Sequence, residues 1–309
     1  MKVLVVANSK IGDGRFSHFV NEQLKAIQAE GVEIVKFGMT EKGLLGYLKS
    51  AKALRKIIKE TNPDCIHAHY GLCGICANLQ RMVPVVTTYH GSDIHSKGWN
   101  LALSRISIRL SAYNIFVSKK LFDISKAKCS KYTIVPCGID VNTIQSIPRE
   151  EALGKLQRHA PFVLFSGSFS NGVKNAPLAQ EAMTRVPNIE LVELEGYSRQ
   201  EVNLLMNAAS CLLMTSHREG SPQVVKEAMA CCTPVVSVDV GDVKDVIGGT
   251  EGCYIAKYDA NDIAEKIKMA LEYKEKTKGR QRIIELGLDN QLLAKRVVSV
   301  YEQVINKNN

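Results

Sequence analysis

A chain of 309 residues exceeds what one hydrophobic core usually serves, so two domains of about 150 residues each are expected. Its 45% hydrophobic and 23% charged residues are those of an ordinary globular protein, and no apolar run approaches the roughly 18 to 20 residues that cross a bilayer, which excludes a membrane-spanning architecture. The net charge of +9 is uneven: residues 1–148 carry 20 Lys and Arg against 10 Asp and Glu, residues 149–309 carry 20 against 21, so the first half is expected to meet something anionic, whether lipid head group, phosphorylated acceptor or nucleic acid.

Lys2 leads directly into Val3-Leu4-Val5-Val6 without a signal-type segment, so this run reads as a buried first strand and the protein as cytoplasmic. Next comes Gly12-x-Gly14-x-x-Ser17, a weak echo of a dinucleotide fingerprint, since the glycines fall late after the strand and no acidic residue ends the following one. Gly12 and Gly14 would permit close backbone approach, with Arg15 turned outward. Short runs rich in β-branched residues at 2–7, 33–37, 64–68, 84–89, 113–117 and 132–136 alternate with stretches of helical period, the pattern of a parallel sheet built from βαβ units. Between them, Tyr47 to Lys59 places Lys49, Lys52, Lys56 and Lys59 on one stripe and Leu48, Ala51, Leu54 and Ile58 toward the core: a solvated face, or a patch for anionic lipid at the inner face of a membrane.

Two strands of this first sheet end in histidines, at Ile66-His67-Ala68-His69-Tyr70 and Tyr89-His90-Gly91-Ser92-Asp93. His67 and His69 read as a structural pair or as acceptor-binding groups; with no carboxylate or cysteine constellation beside them, no metal is expected. Nine cysteines, an odd and scattered set that includes Cys73-x-x-Cys76 and Cys231-Cys232, read as reduced, buried thiols. A linker is expected near 138–150, and a second series of strand-like runs follows at 162–167, 189–194, 211–215, 234–238 and 253–256. Residues 290–305 close the chain as an amphipathic helix whose apolar positions include Leu292, Leu293, Val297, Val298, Val300, Tyr301 and Val304. Each half thus reads as a doubly wound α/β domain, whose ligands bind outside the carboxyl ends of the strands, and two such domains place a site in the crevice between them.

Two segments of the second half carry chemistry. Phe165-Ser-Gly167-Ser168-x5-Lys174-Asn175 is a strand end, a glycine-bearing turn and a helix start, with Lys174 as a mobile point charge. In Ser216-His-Arg218-Glu219-Gly-Ser221-Pro222-Gln223-Val224-Val-Lys-Glu227, Ser221 suits a helix N-cap and Pro222 a first helical residue, so unpaired N–H groups would face an anion there. Glu219 precedes that start and Glu227 lies inside the helix; each carboxylate can accept hydrogen bonds from neighbouring hydroxyls of a polyol, or else Glu219 merely complements the helix dipole and Glu227 is a solvated helix residue.

Glu219-x7-Glu227 with Ala-Met-Ala and then Thr233-Pro234-Val235-Val236 resembles the donor site of family 4 glycosyltransferases, strongly over 160–260 and more loosely around 64–93. The resemblance implies the GT-B fold, an α/β architecture of two Rossmann-like, doubly wound parallel-sheet domains facing across a cleft: an acceptor-side domain at 1–148, a donor domain at 149–289, and the helix near 290–305 packing back on the first. It implies a retaining, metal-independent transferase that uses no cofactor and moves a sugar from a UDP- or GDP-linked nucleotide sugar to an acceptor saccharide or lipid-linked saccharide, in cell-surface polysaccharide or glycolipid synthesis, with no nucleic acid as partner. No Asp-x-Asp occurs in the chain, in keeping with that. By the same resemblance Glu219 contacts the transferred sugar, Glu227 the nucleotide ribose, the backbone from Ser221 to Val224 the diphosphate together with Lys174, and His90 the reacting centre. Gly167 and Ser168 match the family's Gly-Arg loop, with serine in place of the arginine, and Arg218 could supply that charge; Gly12, Gly14, Arg15 and His69 fall on the acceptor or phosphate side. Cys232 stands where glycine commonly precedes the next strand. The alternatives are a nucleotide-sugar-binding protein without transfer activity and, more distantly, a nicotinamide-binding dehydrogenase.

Overall fold

The computed structural model describes residues 1–9, 16–40, 43–96 and 98–306. It divides into two compact units, Met1–Cys137 with Asn290–Asn309, and Gly138–Asp289. The boundary falls at Cys137 and not at residue 148, because the segment read as a linker is anchored in the second unit: Ile139 and Ile144 are fully buried in its core.

The first unit runs β1 (Lys2–Asn8), α1 (His18–Ala29), β2 (Glu33–Met39), α2 (Gly43–Thr61), β3 (Cys65–His69), α3 (Gly71–Asn78), β4 (Val85–Tyr89), α4 (Trp99–Leu110), β5 (Tyr113–Phe116), α5 (Lys119–Ser125) and β6 (Tyr132–Ile134). Its parallel sheet has the order β2-β1-β3-β4-β5-β6. β3 and β4 are buried at every position, as a parallel sheet covered on both faces requires, which is why their apolar runs show no alternation. On α2, Ala51, Leu54 and Ile58 are buried while Lys49, Lys52, Lys56 and Lys59 are exposed; the side chain of Leu48 lies outside the described residues, as do Gly12, Gly14 and Arg15.

The second unit runs α6 (Arg149–Lys155), β7 (Phe162–Phe165), α7 (Ala176–Met183), β8 (Glu190–Glu193), α8 (Arg199–Ala208), β9 (Cys211–Met214), α9 (Gln223–Ala230), β10 (Val235–Val238), α10 (Val243–Ile247), β11 (Cys253–Ala256), α11 (Ala260–Glu272) and α12 (Gly279–Glu285). The strands pair in parallel in the order β11-β10-β9-β7-β8. All eleven runs read as strands are strands. The last helix, α13 (Asn290–Asn306), packs on α1 within the first unit and buries Leu293, Ala294, Val297, Val300, Tyr301 and Val304; Leu292, counted on its apolar face, is 49% exposed.

All nine cysteines are free thiols, and Cys231-Cys232 follows the end of α9. Cys232 has φ 62°, its amide bonded to Met229 O at 2.9 Å and the Thr233 amide to Ala228 O at 2.9 Å, the two bonds of a Schellman stop. A side chain in that left-handed position costs about 1 to 2 kcal/mol, which glycine avoids. Cys232→Gly is therefore expected to stabilise the chain by about 1 kcal/mol, read as a higher urea midpoint without loss of cooperativity.

Candidate functional site

The basic loop and the glutamate segment of the second unit are fastened to each other. Past β9, the Thr215 hydroxyl donates to the carbonyls of Lys174 at 2.9 Å and Asn175 at 3.0 Å, and the His217 amide donates to Val173 O at 2.9 Å. The Lys174 chain lies across Gly167, where an added Cβ would stand 3.0 Å from its Cε and 3.1 Å from its Cγ; glycine leaves the lysine its path. Lys174 Nζ meets Glu219 Oε1 at 2.8 Å, with 19% and 18% of the two side chains exposed. Cation and carboxylate thus arrive from separate loops at one solvent-accessible point.

Ser221 does not cap α9. The helix begins at Gln223 with Pro222 in the cap position and no side-chain cap. The Ser221 hydroxyl instead donates to Asp242 Oδ2 at 2.5 Å and accepts from Lys226 Nζ, which pairs with the same Asp242 oxygen at 2.9 Å. An ionised acceptor makes a stronger bond than a backbone amide makes to a hydroxyl, so the carboxylate takes the serine. Gly241, at φ 55°, presses this loop together: a Cβ there would stand 2.8 Å from Gly220 O. Within α9, Gln223 Nε2 donates to Gly138 O, Val224 packs on the core, and Glu227 is 6% exposed with Oε1 2.7 Å from Arg199 Nη1. Arg218 is exposed and has no hydrogen bond or ion pair among the described residues. Ser168 turns its hydroxyl to that of Ser170 at 2.8 Å and accepts from the Ser170 amide at 3.2 Å.

In the first unit, the ends of β3 and β4 bring three histidines into contact. His67 shares hydrogen bonds with the Tyr301 hydroxyl at 2.6 Å and the Thr88 hydroxyl at 2.7 Å; His69 Nδ1 lies 2.9 Å from His90 Nε2, and those two rings stack at 5.2 Å. Phe19 and Tyr70 pack on His90, at ring distances of 5.0 Å and 4.9 Å. Buried Asp93 draws the loop into shape by accepting from the amides of Gly71, His90, Gly91 and Ile94. Burial holds all three histidines below the usual imidazole range, His69 down to about 3, and keeps the rings neutral. Among the described residues, no group of three or more His, Cys, Asp or Glu is arranged to hold a metal ion.

Lys174 with Glu219, and His69 with His90, are therefore brought together, whereas Ser168 and Arg218 join neither group. Arg199, Lys226, Asp242 and Asp93 escaped the sequence reading. One signal was available: Ser198-Arg-Gln-Glu201 spells a capping box, formed at the start of α8, and an arginine as first helical residue opposes the helix dipole.

The model "Glycosyl transferases group 1" matches residues 151–287 and "Glycosyltransferase Family 4" residues 12–143. With a parallel α/β sheet in each unit the chain has the GT-B fold, and it belongs to the group 1 and family 4 glycosyltransferases. It is 26% identical to the putative teichuronic acid biosynthesis glycosyltransferase TuaC of Bacillus subtilis, over 70% of this chain and 64% of that protein, so it spans about two thirds of that relative's length. It is 21% identical to N-acetyl-alpha-D-glucosaminyl L-malate synthase of Bacillus anthracis, over 83% of this chain and 78% of that one. Among solved structures, a sucrose-phosphate synthase from Thermosynechococcus elongatus superposes with a TM-score of 0.88 at 16% identity, over 99% and 100% of the two chains. HepE of Anabaena, solved in complex with UDP, superposes with 0.76 at 16% identity, over 98% and 100%. Among the described residues, no helix is long and apolar enough to cross a membrane.

The histidine row makes stability depend on pH. The unfolded chain binds protons near the ordinary value of 6.5 and the folded rings do not, so the stability these rings contribute is complete above 6.5 and lost as the pH falls toward about 3. Below pH 6.5 each neutral buried histidine should cost about 1.4 kcal/mol per pH unit, and His69→Gln should flatten the slope measured by urea unfolding between pH 7.5 and 5. A flat profile in the unsubstituted chain would refute neutral rings.

Proposed function

We propose that the second unit binds a nucleoside-diphosphate sugar and that the protein transfers the sugar with retention to a hydroxyl of a saccharide or lipid-linked saccharide. The observation that carries this reading is the contact of Lys174 with Glu219: a sugar diphosphate presents hydroxyls next to phosphate, and here an acceptor of hydroxyl protons stands 2.8 Å from a cation. Lys174 and the backbone from Ser221 to Val224 take the diphosphate, Glu219 the sugar, Glu227 the ribose, and His90 on the first unit the reacting sugar through a neutral ring. The acceptor oxygen bonds to the anomeric carbon as the bond to the departing phosphate oxygen breaks, and that phosphate takes the acceptor proton on the same face. The residues contribute position and fixed charge. Similarity to a teichuronic acid biosynthesis enzyme supports an acceptor in cell-surface polysaccharide.

UDP or GDP is expected to raise the melting temperature, by about 2.7 kcal/mol of added stability at a hundredfold excess over Kd. Lys174→Ala should weaken the diphosphate about tenfold or more and the parent nucleoside hardly at all. Glu219→Gln should bind nucleotide and lose transfer, and Glu227→Ala should chiefly weaken binding. A chain that none of these nucleotides stabilises is not the donor-binding protein described; one that binds donor but neither hydrolyses nor transfers it is a binding protein only.

The exposed stripe of Lys49, Lys52, Lys56 and Lys59 on α2 suits an anionic membrane surface, each lysine contributing about 1 kcal/mol there. The chain is expected to float with phosphatidylserine vesicles at low salt and to stay behind when all four lysines are glutamine; equal flotation of both would discount the stripe.

A further inference from the structure

Glu227 has a partner that no motif announced. Arg199, the first residue of α8, sets Nη1 2.7 Å from Glu227 Oε1, and the carboxylate is 6% exposed. Arginine at a helix start is disfavoured by the dipole, so its place there has another source. The charge of Arg199 is also felt at Asp140: burial raises that carboxyl, but the Thr143 hydroxyl, the amides of Asn142 and Thr143 and, last, that charge together bring it below the usual range. One turn before Glu227 on the same face of α9, Gln223 donates to Gly138 O, two residues from Asp140. Arg199 thus holds Glu227 by a direct ion pair, while Gln223 ties the same helix to the segment entering the second unit.

We infer that Arg199 is the positioning residue of the nucleoside subsite: it holds the Glu227 carboxylate ionised and in one orientation, so that the carboxylate accepts hydrogen bonds from the two neighbouring ribose hydroxyls. The inference rests on Glu227 being the ribose ligand. An acid taken out of water turns neutral unless a cation compensates it, and a neutral acid both accepts more weakly and donates a proton of its own. Arg199 Nη1 also pins one oxygen of the carboxylate, at 2.7 Å. Recognition of ribose over deoxyribose therefore depends on Arg199 although Arg199 need not touch the sugar. A merely structural ion pair would affect ribo- and deoxyribonucleotides alike, and the two roles separate on that difference.

The experiment is calorimetric titration of the full chain with UDP or GDP, whichever binds, and with its 2′-deoxy and 3′-deoxy forms. The unsubstituted protein is expected to prefer the ribonucleotide about tenfold or more, the worth of a hydrogen bond to a charged group. Glu227→Gln should reduce that preference, Arg199→Gln should reduce it to within about twofold, and Arg199→Lys should fall between; adding Arg199→Gln to Glu227→Gln should reduce it no further, since the two act as one. Should Arg199→Gln not fold, the intermediate preference of Arg199→Lys carries the test. If Glu227→Gln loses the preference while Arg199→Gln keeps it, or Arg199→Gln weakens all three nucleotides equally, Arg199 is only a counter-ion and the donor reading stands. If the unsubstituted chain shows no preference, or Glu227→Gln keeps it, the assignment of Glu227 itself falls, and this inference with it.

Discussion

The Lys226–Asp242 ion pair fixes the ground on which the rest of the second unit's glutamate segment stands. Lys226 has no exposed surface, and withdrawing an ammonium and a carboxylate from water costs several kcal/mol each, repaid only when the geometry is close and further hydrogen bonds complete it. Ser221 supplies one of those bonds, which draws α9, the loop before it and the loop after β10 onto a single charged point. Gly241 against Gly220 leaves no room for the loops to part. With residues 220–222 held from below, Glu219 on one side and Glu227 on the other have their positions set by backbone they do not control.

The three ion pairs near the start of α9 differ in burial, and that difference sorts what each can do. Lys226–Asp242 is closed to solvent, so a ligand cannot compete for it. Lys174–Glu219 keeps about a fifth of each side chain exposed, and partial solvent weakens its attraction. Arg199–Glu227 lies between, the acid buried and the base a quarter exposed, an arrangement in which one partner is held while the pair still meets solvent. The three pairs thus grade from a closed floor, through a pair with one buried partner, to a pair open to solvent.

Much of the architecture was legible because parallel strands covered on both faces must be apolar throughout, and runs such as Val3–Val6 and Val235–Val238 admit few other readings. The stretch from Glu219 to Glu227 was legible too, since its residues are close in sequence. What escaped came from long-range pairing. Ser221 carries every local mark of an N-cap, and a carboxylate 21 residues away overrides it. Arg199 and Glu227 meet across 28 residues, and nothing in either neighbourhood names the other. The line between the units was misplaced because Ile139 and Ile144 look like any apolar residues near a linker until the core that takes them is known.

The first unit meets its chemistry by a different physical route. His67 and His69 sit two apart on β3 and so share a face, which Tyr301 of α13 approaches from the chain's far end. Burial keeps the rings neutral, and a neutral imidazole can donate at one nitrogen while accepting at the other; a cation would only donate. This end of the sheet therefore carries hydrogen-bonding rings and adds no charge, although the first half of the chain carries all the excess of Lys and Arg. That excess must lie elsewhere, and α2 shows part of it, with four lysines on its outer face and the apolar side buried. Uncharged hydrogen bonding at the strand ends and positive charge on an outer helix are thus separate properties of one unit. An anion drawn by the second has no electrostatic reason to occupy the first.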